Sequence, residues 1–192
     1  MDSWTDDYWK KTFGISLTEE KLPKVYSPYV QKLLKNKQFL ARLKRPVFQV
    51  SSYDIPYLAG SSKNRRIVYF DRHFQPFMKY KGKTVDTRQF ILVHEIGEAA
   101  LIDLFHLRYQ AAHHIITHFE AETVKAAGIS FRFYSNFLKP QIKGIYHEKL
   151  QKLPKDLDTI PYAAENEKKI LEALKAGKDI RKIKHKVSPS HH

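Results

Sequence analysis

His94, Glu95 and Glu98 stand in a stretch of the chain that has no ordinary use for them. The run from Phe90 to Phe105 is otherwise apolar, with Asp103 its only other charge. Burying an unpaired charge costs about several kcal/mol, or shifts the group's pKa until it is neutral. A metal ion is one of the few partners that stabilises an imidazole and two carboxylates together. On a helix of about 3.6 residues per turn, His94 and Glu98 are neighbours at i, i+4, and Glu95 and Glu98 at i, i+3. All three share an arc with Ile91, Leu101, Ile102 and Phe105, so the polar trio is set into an apolar face.

The elements that must position this trio follow from the flanking residues. Asp86-Thr87-Arg88-Gln89 has the form of a capping box with Asp86 as cap, which predicts a helix running to about Phe105. His106-Leu107-Arg108 is a short connection, so a second helix should return antiparallel, from about Tyr109 to Ala127, and stop at Gly128. On that helix His113 and Glu120 share a face with Tyr109, Ile116, Thr117 and Val124. His114 and His118 share an arc with Gln110, Ala121 and Lys125, which reads as solvent-facing. They are the poorer pair in spite of their i, i+4 spacing. Folding the two helices about Leu107 sets Glu120 level with His94. It sets His113 within about 5 Å of Glu98 along the axis. His94, Glu98, His113 and Glu120 are therefore expected to converge. Two imidazoles and carboxylates suit zinc, and also iron or manganese. The alternative is a buried salt-bridge network with no metal.

The segment His94-Glu95-Ile96-Gly97-Glu98 resembles the HExxH helix of zincin metallopeptidases, with Glu98 in place of the second histidine. The resemblance implies His94 as a zinc ligand, Glu95 as the general base on a metal-bound water, Glu98 as second ligand and His113 or Glu120 as third. A carboxylate at the second position lowers the net charge at the metal and weakens its Lewis acidity. A longer pattern adds Tyr109, Ala112-His113, Glu120, Pro154, Asp156-Leu157-Asp158 and Pro161-Tyr162. It is similar to uncharacterised bacterial and phage-associated proteins over the region from Tyr69 to Tyr162. Weaker candidates are His147-Glu148, as groups behind the ligands; Asp71, to orient a histidine or cap a turn; and Tyr109 or Tyr146, to stabilise an oxyanion.

The rest of the chain sets the frame. Its 192 residues, 42% hydrophobic and 13% aromatic, fit one globular domain over residues 1–183, with a loose basic tail over 184–192. Cysteine is absent, so disulfides and thiolate ligands are excluded. No apolar run is long enough to span a membrane, and the acidic N-terminus does not resemble a secretory signal, so a cytoplasmic protein is expected. The net charge of +14 is spread over Lys32–Arg45, Lys63–Arg66 and Lys168–Lys186. It makes nucleic acid a possible partner, although no nucleic-acid-binding motif accompanies it.

Ser27-Pro28 suits a helix start, and Val30, Leu33, Leu34, Leu40 and Leu43 recur at helical spacing. Lys37 interrupts this stripe, so one helix or two short ones would fit, and Pro46 should end the element. Val47–Val50 and Arg66–Phe70 read as strands that pair, separated by a loop at Gly60–Asn64. Further helices are expected over Phe131–Leu150, bent or broken at Pro140, and over Ala163–Ala176, with a loop at Leu153–Pro161. The fold expected is α+β, predominantly helical, with a small sheet and a central antiparallel helix pair carrying the metal site. The function expected is metal-dependent hydrolysis of the zinc-peptidase kind, on a peptide or protein substrate. The alternative is a non-catalytic basic binding protein, contacting nucleic acid or an acidic partner, with a structural His/Glu cluster.

Overall fold

The computed structural model describes residues 33, 35–107, 109–146 and 150–161, without the side chains of 110 and 146. The helix expected at Ala163–Ala176, the tail, and the pair His147-Glu148 lie outside the described residues, as does the chain before Leu33. The fold is α+β, with four helices, a three-stranded sheet and a two-stranded hairpin among those residues.

Helix α1 is Lys37–Leu43. The interruption expected at Lys37 is a real break. Asn36 is extended, and its side-chain carbonyl accepts the Phe39 N–H at 2.9 Å, so Asn36 starts a new helix. Phe39 is fully buried and meets the Phe119 ring edge-on at 5.5 Å.

The expected strand pair forms, and forms in parallel. Strand β1, Phe48–Tyr53, runs alongside β3, Ile67–Asp71, with Phe48 opposite Ile67. Part of the segment expected as a loop is itself a strand. Residues Ala59–Ser61 form β2, antiparallel to β3 on its other side, giving the order β1-β3-β2. The central strand β3 is buried along most of its length, which is why it reads as an unbroken β-branched and aromatic run.

A hairpin that the residue pattern does not announce follows, β4 at Phe77–Tyr80 and β5 at Lys83–Asp86. Its two-residue turn, Lys81-Gly82, has φ of 46° and 77°. Two positive φ values in succession make a turn of the hairpin type, and Gly82 meets one of them without strain. The hairpin feeds helix α2, Arg88–Phe105, whose cap is Thr87, one residue later than expected. Asp86 still serves the start, accepting the Arg88 N–H at 3.0 Å, while Gln89 reaches back to the Asp86 carbonyl at 3.0 Å.

Helix α3 is Tyr109–Ala126, and His106 turns the chain between the two in the left-handed conformation. Gly128 (φ 76°) ends α3 as expected. Gly128 N–H bonds the Lys125 carbonyl at 2.8 Å and Ile129 N–H bonds the Val124 carbonyl at 3.2 Å, the pairing of a Schellman motif. Helix α4, Phe131–Tyr146, runs unbroken through Pro140.

Three apolar clusters hold these layers together. The largest joins the sheet and hairpin to α2, α3 and α4 through Val68, Phe70, Met78, Phe90, Val124 and Tyr134. A second joins α1, α2 and α3 around Phe39, Leu101 and Ile116. The third, Ile55, Tyr69 and Leu157, seats the segment 150–161 against the other face of the sheet. Among the described residues no helix is long and apolar enough to cross a membrane.

Candidate metal centre

The close approach of α2 and α3 is set by Gly97. A Cβ built there would lie 2.2 Å from Ile116 Cδ1 and 2.9 Å from its Cγ1, and Ile116 is fully buried. The lack of a side chain thus brings the two helix surfaces into contact one residue from Glu98.

With the helices this close, the four expected ligands meet. His94 Nδ1 lies 2.8 Å from Glu120 Oε2, and His113 Nδ1 lies 2.7 Å from Glu98 Oε2. His94 Nε2 is 3.1 Å from His113 Nδ1 and 3.7 Å from Glu98 Oε2. Three donor atoms, one each from His94, Glu98 and His113, therefore face one another at 2.7, 3.1 and 3.7 Å. Ligand atoms around a tetrahedral zinc, with bonds of about 2.0–2.1 Å, stand about 3.3 Å apart. The group has the dimensions of a metal site.

Glu120 occupies a different place. It sits behind His94, on the nitrogen that faces away from the other donors. Its second oxygen accepts a hydrogen bond from Tyr134 at 2.5 Å. An accepting Glu120 fixes the proton of His94 on Nδ1 and leaves the Nε2 lone pair for the centre.

The electrostatics show how the charges of this cluster are balanced. Burial would keep His94 neutral, yet the hydrogen bonds to Glu120 and Glu98 outweigh it and hold its pKa well above the ordinary histidine value. Burial would likewise raise Glu98, but bonds from His113 and His94 keep it low. His113 is pushed down by burial, which its bond to Glu98 only partly offsets. Without a metal, the positive charge between these groups is a proton on His94. A divalent cation would replace that proton.

Glu95 is one residue from His94 and sits on the same cavity wall. The Ser61 hydroxyl donates to its Oε2 at 3.5 Å. Burial first, and then the charge of Glu98, pushes its pKa up to about 8. The cavity, about 190 Å³, is lined by His94, Glu95, Glu98, His113 and Glu120 among mostly apolar neighbours, including Leu58, Ile102, Leu138 and Ile142.

The solvent-facing reading of His114 and His118 is corrected by the structure. Both are buried, at 5% and 8% exposure. The arc of α3 that carries them is therefore covered in the fold, and it lies apart from the donor set of His94, Glu98 and His113. Asp71 takes the turn-capping role. Its carboxylate accepts the His73 and Ile55 N–H groups, each at 2.8 Å. Tyr109 lines the cavity, its ring 5.4 Å from that of His113. Tyr134 and Ser61 were not singled out by residue type. One of eleven tyrosines carries no signal, and Ser61 lies in a segment that reads as loop.

Compared with protein-family models, curated proteins and solved structures, the chain matches none.

Proposed function

We propose that the chain is a metal-dependent hydrolase acting on a peptide bond. The metal would be zinc, for which iron or manganese could substitute at the same donors. His94 through Nε2, Glu98, and His113 through Nδ1 would be the ligands. The observation that carries this reading is the convergence of three lone-pair donors on the wall of a cavity that also holds a half-buried carboxylate, Glu95. A structural metal site closes its coordination with protein ligands; three ligands facing a cavity leave a position for water or substrate.

A bound divalent cation would supply Lewis acidity toward the carbonyl and the attacking water. Glu95 takes the proton from that water and passes it to the leaving amine. A carboxylate on the cavity wall beside the donor set suits both steps. Glu120 fixes the tautomer of His94, and Tyr134 positions Glu120. The apolar walls accommodate apolar side chains beside the scissile bond and keep bulk water from the reacting groups.

The test is paired. Metal content is measured on protein purified without added metal, and turnover on a broad peptide library. Glu95→Gln keeps size and hydrogen bonding but removes basicity. It should retain metal and melting temperature and lose turnover by at least about 100-fold. A variant as active as wild type, or a wild type whose metal has no exchangeable water, would remove the catalytic reading and leave a structural site.

A further inference from the structure

One face of α4 is apolar except at two positions. Phe131, Tyr134, Ser135, Leu138, Lys139 and Ile142 recur at helical spacing, and all six line the cavity of the candidate metal centre. Lys139 is half-buried there and makes no ion pair with any described residue. Ser135 stands one turn before it on the same face. Its hydroxyl makes no hydrogen bond to a described residue, whereas the Thr117 and Thr123 hydroxyls each donate to the helix carbonyl four residues back.

The other charges on the cavity wall already have partners. Glu98 and Glu120 meet His113 and His94, Glu95 accepts from Ser61, and Arg65 pairs with Asp158 and Asp103. Among the described lining residues Lys139 is the cation left over. Holding an ammonium against apolar walls without a counter-ion is unfavourable, and an anion that enters with the substrate offsets the cost. A peptide bond carries no charge, but the end of a peptide chain does. The cavity volume of about 190 Å³ is below the roughly 300–1,000 Å³ of sites that enclose a drug-sized ligand, which suits the end of a chain better than a length of it. The spacing fits as well. Tyr134 holds Glu120 behind His94. Lys139 lies about 7.5 Å further along the axis of α4, at about 1.5 Å per residue. One residue of extended chain covers about 3.3–3.6 Å, and the lysine stem bridges the rest.

We propose that Lys139, with Ser135, binds the terminal carboxylate of a peptide substrate, and that the enzyme is a carboxypeptidase releasing one residue from the C-terminal end. The reaction rests on the hydrolase reading; the carboxylate site does not. Water gives its hydroxyl to the acyl carbon and its proton, through Glu95, to the amine. The C–N bond breaks and a free amino acid leaves. Leu138 and Ile142 flank Lys139 on the cavity wall, so the released residue is apolar.

Binding is read first, on the full chain in EDTA so that no metal can take the carboxylate. N-acetylleucine should bind about 10–100-fold more tightly than N-acetylleucinamide, the range of a hydrogen bond to a charged group. Lys139→Met keeps the stem and removes the charge. It should keep the melting temperature and bind the two ligands equally, and Lys139→Arg should keep the preference. Equal affinities in wild type overturn the proposal. So does a preference that survives in Lys139→Met, which would place the carboxylate on Arg65. Turnover is read second, on zinc-loaded protein, with N-acetylphenylalanylleucine, its C-terminal amide, and the amide with glutamate in place of leucine. The free acid should show the same advantage in kcat/KM over its amide, and Lys139→Met should lose it. A glutamate amide cleaved as fast as the free acid would assign Lys139 to an acidic side chain and overturn the terminal reading. A carboxylate preference in binding with no turnover of any of the three would overturn the peptidase step and leave the carboxylate site.

Discussion

Among the described residues, two groups have the composition of a three-ligand metal site, and they differ in where their lone pairs go. The first is His94, Glu98 and His113, between α2 and α3; the second is Asp54, Asp71 and His73, at the end of the sheet. In the second group the carboxylates are already committed. Asp54 accepts the Gln151 and Lys152 N–H groups at 2.5 and 2.6 Å and pairs with Arg72 at 2.6 Å. Asp71 accepts two further backbone N–H groups. These aspartates are knots that tie the segment 150–161 and the turn after β3 to the sheet. In the first group the contacts among the three run from side chain to side chain, and His94 and His113 compete for one carboxylate oxygen. Ligand types at close range are thus insufficient to define a metal site. What matters is whether the donors are spent on the backbone or left facing one another.

The comparison breaks most directly by removing one carboxylate from each group. Glu98→Ala should lower metal affinity by more than the roughly 10–100-fold that loss of a supporting partner costs. It should also abolish any rise in melting temperature on adding zinc. Asp54→Ala should leave metal affinity unchanged and cost about 3 kcal/mol of stability, because two backbone N–H groups and the Arg72 guanidinium lose a charged acceptor. Isothermal titration and denaturant unfolding separate the two outcomes. Metal loss in Asp54→Ala, or metal retention in Glu98→Ala, would reverse the assignment.

The same contrast explains what the residue pattern could and could not convey. His94, Glu98, His113 and Glu120 were found by periodicity because helices repeat, so the faces of two antiparallel helices can be computed from spacing. The Schellman stop at Gly128 was equally readable. Strand β2 was not, because Gly60 and Ser61 carry no β signal; they are held by pairing with β3, which only the tertiary fold supplies. The burial of His114 and His118 was missed for the same reason. A helical wheel places residues on arcs but does not say how many sides of the helix are covered. Glu120 was rightly placed on the shared face, yet spacing cannot tell which nitrogen of His94 it meets.

Helix spacing is the next point of attack. Gly97→Ala drives a Cβ into Ile116, and overpacking of this kind costs about 1–3 kcal/mol, offset by about 1 kcal/mol of better helix propensity. Because Gly97 adjoins Glu98, the variant should also weaken metal binding, by about tenfold if the helices shift by a few tenths of an ångström. Ile116→Val removes the Cδ1 atom that clashes, so the double variant should recover much of both losses. A double-mutant cycle with no coupling between the two positions would show that the spacing is set elsewhere.

The smallest effect expected lies on the other histidine arc. Burial lowers the pKa of His118 to about 4, with the charge of Lys125 acting in the same direction and that of Glu122 against it. In the unfolded chain the ring would titrate at its ordinary value of 6.5. Between these values the unfolded state binds the extra proton, so acidification favours unfolding. The stability that neutral His118 contributes is fully present above about pH 6.5 and is lost as pH falls toward 4. His118→Gln removes this titration without adding a charge. The drop in melting temperature from neutral pH to about pH 5 should then be smaller than in wild type by on the order of 3 °C, after allowing for water that still reaches the ring. Metal affinity should not change, because His118 stands outside the donor set of His94, Glu98 and His113. An unchanged pH dependence in His118→Gln would mean that the ring is charged in the folded state. A loss of metal would make it a ligand and return the second arc to the site.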